Sequence, residues 1–151
     1  MTADLWTFAT TVYARPGVET ACLELQDTGA DVCLLLCGLW LDHRGVAHDE
    51  ARERQLRQLA TPWQCEVVMP LRALRQQWRH AAQQDSALNA LRQQLKQLEL
   101  DAEREQLQHL QALTQGWPKT IQEHAPQWLQ ALAPENHASA CERLRHACSE
   151  S

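Results

Sequence analysis

The chain has 151 residues, enough for one domain with a real core and too few to expect two. Its 5 glycines, single Phe and single Tyr, set against abundant Gln, Leu, Ala and Arg, predict an all-α protein. The net charge of −5 argues against a dedicated nucleic-acid binder. No charged-then-apolar leader argues for export, and the 6 cysteines read as reduced thiols in a cytoplasmic protein.

Asp4 is placed to cap a first helix in which Leu5, Phe8, Ala9 and Val12 share one face, flanked by Trp6 and Tyr13. Pro16 stops that helix, because the residue before a proline is pushed out of the α region. Val18, Ala21, Cys22 and Leu25 form the inner face of a second helix, ended by Gly29 in the left-handed conformation. Asp31 then caps an unbroken apolar run from Val32 to Leu41. Its length is about half of what a membrane-spanning helix needs. A helix apolar on every side has to be wrapped by others. The expected architecture is therefore a single helical domain of six to eight helices around a buried central helix at about 32–42. Residues 1–45 form its apolar three-helix part.

Leu5-Trp6-x-Phe8-Ala9, Tyr13-Ala14-Arg15-Pro16-Gly17-Val18, Ala21-Cys22-Leu23-x-Leu25-Gln26-Asp27 and Gly29-Ala30-Asp31-Val32 through Leu39-Trp40-Leu41 carry a resemblance, joined by Val68-x-Pro70-Leu71-Arg72-x-x-Arg75. In this order they resemble an uncharacterised family of short proteobacterial helical proteins. That family commonly has Asn after Asp-Val, where this chain has Cys33. The resemblance implies a helical fold and brings no established activity.

Residues 49–82 are read as basic helices. One, from Asp49 to Ala60, has Leu56, Leu59 and Ala60 as its apolar edge. Thr61-Pro62-Trp63-Gln64 then reads as a fresh helix start, with Val67, Leu71, Leu74 and Trp78 as the next core stripe and a break or kink near Pro70. Residues 86–115 predict the longest helix, with Leu88, Leu91, Leu95 and Leu98 spaced as in a coiled-coil seam. Pro118, Pro126 and Pro134 chop residues 118–148 into short helices, the last capped by Asn136 or Ser139.

The stretch from His43 to Arg92 holds eight Lys/Arg against five Asp/Glu within an acidic protein. Arg72, Arg75 and Arg79 share one helix face beside Trp78, and Arg52, Arg54 and Arg57 lie on the preceding helix. Converging guanidiniums suit a phosphate, a carboxylate or an acidic partner; the plain alternative is a solvated face pairing with the long helix. Asp101, Glu105 and His109 form a column that could take a metal, but the second ligand set of a helical metal site is missing. His137 and Cys141 meet the zinc spacing rule once rather than twice. No metal, cofactor or catalytic residue is therefore expected. Cys33 and Cys37 read as small core residues, and the six tryptophans as core or as the lining of a cavity.

Two functions follow. The first is a non-enzymatic cytoplasmic adaptor that docks another protein through the Arg52–Arg79 face or the exposed side of the long helix. The second is a small-molecule binder or enzyme, with a Trp-lined cavity and an anion site at Arg72 and Arg75. Nucleic-acid binding ranks third, and neither oligomeric state nor partner identity is legible.

Overall fold

A computed structural model describes residues 4–119, 127–134 and 138–149. The described helices are α1 (Leu5–Tyr13), α2 (Val18–Asp27), α3 (Val32–His43), α4 (Glu50–Trp63), α5 (Met69–Gln77), α6 (Arg79–Gln84), α7 (Ser86–Thr114), α8 (Trp128–Leu132) and α9 (Ala138–Ser149). A π-helical turn at Gln64–Val68 joins α4 to α5 without a break. Counted as the single run that makes, the described residues hold eight helices and no strand, an all-α domain.

The start signals of the first and third helices are made as the sequence implies. The Asp4 carboxylate accepts from Thr7 N at 2.7 Å and Asp31 from Leu34 N at 3.1 Å, each filling an otherwise orphaned helix donor. Gly29 has φ 89°, which ends α2 at little cost because glycine has no Cβ. Every residue of α3 from Cys33 to Leu41 is buried, with α1, α2, α4, α7, α8 and α9 packed around it. At Gly38 the crossing with α8 is close: a Cβ there would stand 2.8 Å from Leu132 Cδ1 and 3.4 Å from the Trp128 carbonyl.

Just beyond, Asp42 at the end of α3 caps α8. Its two carboxylate oxygens accept from Trp128 N at 2.9 Å and Leu129 N at 3.0 Å. The Trp128 indole is fully buried and donates to Val46 O at 2.9 Å. No described helix is long and apolar enough to cross a membrane.

Three readings change. Thr61-Pro62 does not begin a helix: α4 runs through Pro62, and the widened π-turn follows it. Such a turn relaxes the ladder between Pro62 and Pro70, neither of which can donate a backbone hydrogen bond. Of the stripe expected after it, Val67, Leu71, Leu74 and Trp78 are only partly buried, and the break near Pro70 is the π-turn itself.

The third change is in α7. Leu91 and Leu98 are half exposed, whereas Leu95, Glu99, Ala102, Gln106 and Leu110 face inward. The inward positions fall four, three, four and four apart, and two of them, Glu99 and Gln106, are polar where a seam would hold apolar side chains. Asn136 and Pro126 lie outside the described residues.

Candidate functional site

The inner face of α1 is Leu5, Phe8, Ala9 and Val12, so Trp6, Thr10 and Tyr13 stand one step round the helix, on its shoulder. On α7, Lys96, Leu100, Glu103 and Leu107 form a similar shoulder beside the buried seam. The two shoulders face each other across a cleft of about 450 Å³. Val32, Cys33 and Leu36 of α3, Cys22 and Gln26 of α2, and Arg75 of α5 complete its lining. Its volume is within the range of small-molecule sites, and its walls are mainly apolar with a few charged groups, as such sites usually are.

Those charged groups belong to one network. Glu99, almost fully buried, receives Arg72 Nε on Oε2 at 3.1 Å and Arg75 Nε on Oε1 at 2.5 Å. Arg75 also reaches Oε2 through Nη2 at 3.4 Å, and Arg92 Nε donates to the Arg75 carbonyl at 2.9 Å. One turn along α7, Glu103 lies 4.0 Å from Arg72 Nη2. Deeper, Gln106 Nε2 donates to Asp31 Oδ2 at 2.7 Å, which ties α7 to the cap of α3. The Gln106 Oε1 atom is buried and makes no hydrogen bond among the described residues.

Burial governs the titrating groups here. It pushes the Glu103 carboxyl up to about 7; Arg72 and Arg75 oppose this, while Glu99 and Asp31 add to it. Burial also raises Asp31, against the hydrogen bonds from Leu34 and Gln106 and the field of Arg72. The Tyr13 phenol is pushed up to about 12 by burial, with Glu19 adding to it, and burial takes Cys22 to about 12 as well. Cys33 is driven well above its ordinary value, again by burial. Thiols held protonated in this way are poor nucleophiles, so the cleft offers charge recognition rather than thiol chemistry.

A second, more polar cleft of about 300 Å³ is lined by Arg72. Gln26 lines both. Gln64, Gln76 and Asp27 supply most of its remaining side-chain polarity.

The residues singled out from sequence separate. Arg72 and Arg75 do converge, but on Glu99 rather than on open solvent. Arg79 is exposed, and Trp78 is partly buried at the α5–α6 junction. Arg52 stands apart from them, its guanidinium 5.3 Å from the centre of the Trp117 ring, which stacks on Trp128 at 5.9 Å. In the acidic column, Asp101 accepts from Gln97 at 2.9 Å. His109 meets Glu105 at 3.6 Å and packs edge-on against Trp63. Cys141 is buried, and His137 lies outside the described residues. Among the described residues, no group of three or more His, Cys, Asp or Glu could hold a metal ion.

Lys96, Leu100 and Leu107 were not found by sequence, and Glu103 stands beside the column of Asp101, Glu105 and His109 without belonging to it. Their one signal was a spacing on α7 that matches Trp6, Thr10 and Tyr13 on α1.

Fold and cleft together define a small all-helical domain with one mainly apolar cleft beside its longest helix. The chain belongs to the family described as protein of unknown function DUF2390, whose model matches residues 4–110. That match takes in every residue lining the larger cleft and leaves out α8 and α9. No curated protein and no solved structure matches the chain.

Proposed function

We propose that this protein is a small-molecule binder that takes an amphipathic ligand into the cleft between α1–α3 and α7. The observation carrying the reading is the cleft itself: about 450 Å³, walled by Trp6, Tyr13, Leu36, Leu100 and Leu107, with charged groups on its α5 and α7 side only. An apolar body would be desolvated against the rings and leucines, and a polar head would meet Arg75, Lys96 and Glu103. The arginine pair contributes through Arg75, with Arg72 held behind it by Glu99. Six free cysteines, five of them buried, suit a reducing cytoplasm.

The test is a titration with 1-anilinonaphthalene-8-sulfonate, an amphipathic anion that fluoresces on desolvation, against the parent and Thr10→Trp. Thr10 is exposed and lines the cleft, so the larger ring fills the site without entering the core. Saturable binding that falls about tenfold or more in Thr10→Trp supports the reading, that ratio being about 1.4 kcal/mol of lost contact. Equal binding by both proteins refutes it.

A second reading, the adaptor, draws support from Leu91 and Leu98. They lie two turns apart on α7 and are each half exposed, as an apolar edge offered to a partner helix would be. Alanine at both positions would then lower recovery of a partner in pull-down without changing the folded state.

A further inference from the structure

We infer that the ligand's head group is a single carboxylate, and that it binds by replacing the charge of Glu103, with one proton taken up from solvent. This rests on the cleft being a binding site and adds the chemical class of what it holds.

Charged groups surround Glu103 on several sides. Arg72 and Arg75 face it from α5, Asp31 from the start of α3 and Tyr13 from α1; Lys96 and Glu99 share its own helix and the cleft. The thiols of Cys22 and Cys33 are held protonated by burial, and so is the phenol of Tyr13. Of the charged groups that line the cleft, Arg75 and Lys96 stand against Glu99 and Glu103. With Glu103 ionised the set is neutral. With Glu103 protonated one positive charge is left over, and a single carboxylate restores the balance.

Geometry makes Glu103 the exchangeable member. Both oxygens of Glu99 are taken up by guanidinium donors at 2.5–3.4 Å. Asp31 is fixed by Leu34 N and Gln106 Nε2. Among the described residues the Glu103 carboxylate has only Arg72 Nη2, at 4.0 Å, which is too long for a hydrogen bond. It is therefore the acid with least to lose by taking a proton, and its neutral form gains an O–H that can donate to an incoming carboxylate. Lys96 forms no ion pair among the described residues and supplies the second contact. A cationic head would instead meet Arg75 and Lys96, and an uncharged one would leave Glu103 ionised and take up no proton.

Calorimetric titration of the full chain with octanoate, octan-1-ol and octylamine tests this, each in two buffers of different ionisation enthalpy so that proton uptake is read directly. Octanoate should bind at least about tenfold tighter than the other two. Its affinity should fall at least about tenfold from about pH 6 to about pH 8.5, with uptake of close to one proton at the upper end. Glu103→Gln keeps a donor and cannot ionise, so it should hold octanoate at about pH 8.5 as the parent does at about pH 6, without proton uptake. Lys96→Met, at an exposed position, should weaken octanoate and leave octan-1-ol unchanged. Octylamine or octan-1-ol binding as well as octanoate, or octanoate binding with no proton uptake, overturns the inference but leaves the cleft a binding site. Binding of none of the three overturns both.

Discussion

The two faces of this protein's interior are built from opposite materials. Around α3 the contact is apolar on every side, with nine consecutive buried residues and polar groups only at the helix ends, Asp31 and Asp42. Between α5 and α7 the contact is ionic, and Glu99, Arg72, Arg75 and Arg92 stand where leucines would serve a coiled coil. Apolar burial stabilises in proportion to area and tolerates small shifts. A buried ion pair costs desolvation and repays it only in one geometry. The first region holds the fold together; the second sets charge and shape beside the cleft.

The contrast is most easily broken at Glu99. Its replacement by Ala leaves two guanidiniums facing a buried gap and should cost about 3–5 kcal/mol, measured by urea unfolding. Replacing Arg72, Arg75 and Glu99 together with Met, Met and Leu should recover most of that loss, because the charges then leave as a set. On the apolar side, Gly38→Val forces methyl groups into Leu132 and the Trp128 carbonyl and should cost about 1–3 kcal/mol. Equal losses from Glu99→Ala and from the triple replacement would show that packing, not charge, holds the ionic region.

Beside these losses stands a pH slope. Glu103 titrates near 7 in the folded chain and near 4.5 when unfolded, so folding takes up a proton between those values. The contribution of Glu103 to stability is thus full below about pH 4.5, declines as pH rises, and is lost above about pH 7. Glu103→Gln should remove this part of the slope, read as the difference between parent and variant unfolding midpoints across that range. A slope unchanged in the variant would place the titrating group elsewhere.

The same contrast explains what could be read from sequence. Asp4, Asp31 and Gly29 act through local backbone chemistry, and the run from Val32 to Leu41 has no polar residue to offer water, so α1–α3 were legible almost residue by residue. The π-turn was not, because Thr61-Pro62 carries the chemistry of a helix start and only tertiary packing lets α4 continue through it. Nor was the inward face of α7. A search for apolar periodicity selects Leu91 and Leu98, and Glu99 enters the interior only because two arginines from another helix meet it there. The candidate site was half visible: Arg72, Arg75 and the flanking position of Trp6 and Tyr13 were noted, but the cleft that joins them requires α1 and α7 side by side.

Titration of ¹⁵N-labelled protein with octanoate, followed by two-dimensional NMR, tests the cleft most directly. The indole signal of Trp6 and the backbone amides of Thr10, Val32 and Leu100 should move together on one saturating curve, while the Trp117 and Trp128 indoles stay still. Shifts centred on Trp117 and Trp128, or a response that never saturates, would contradict a binding site between α1–α3 and α7.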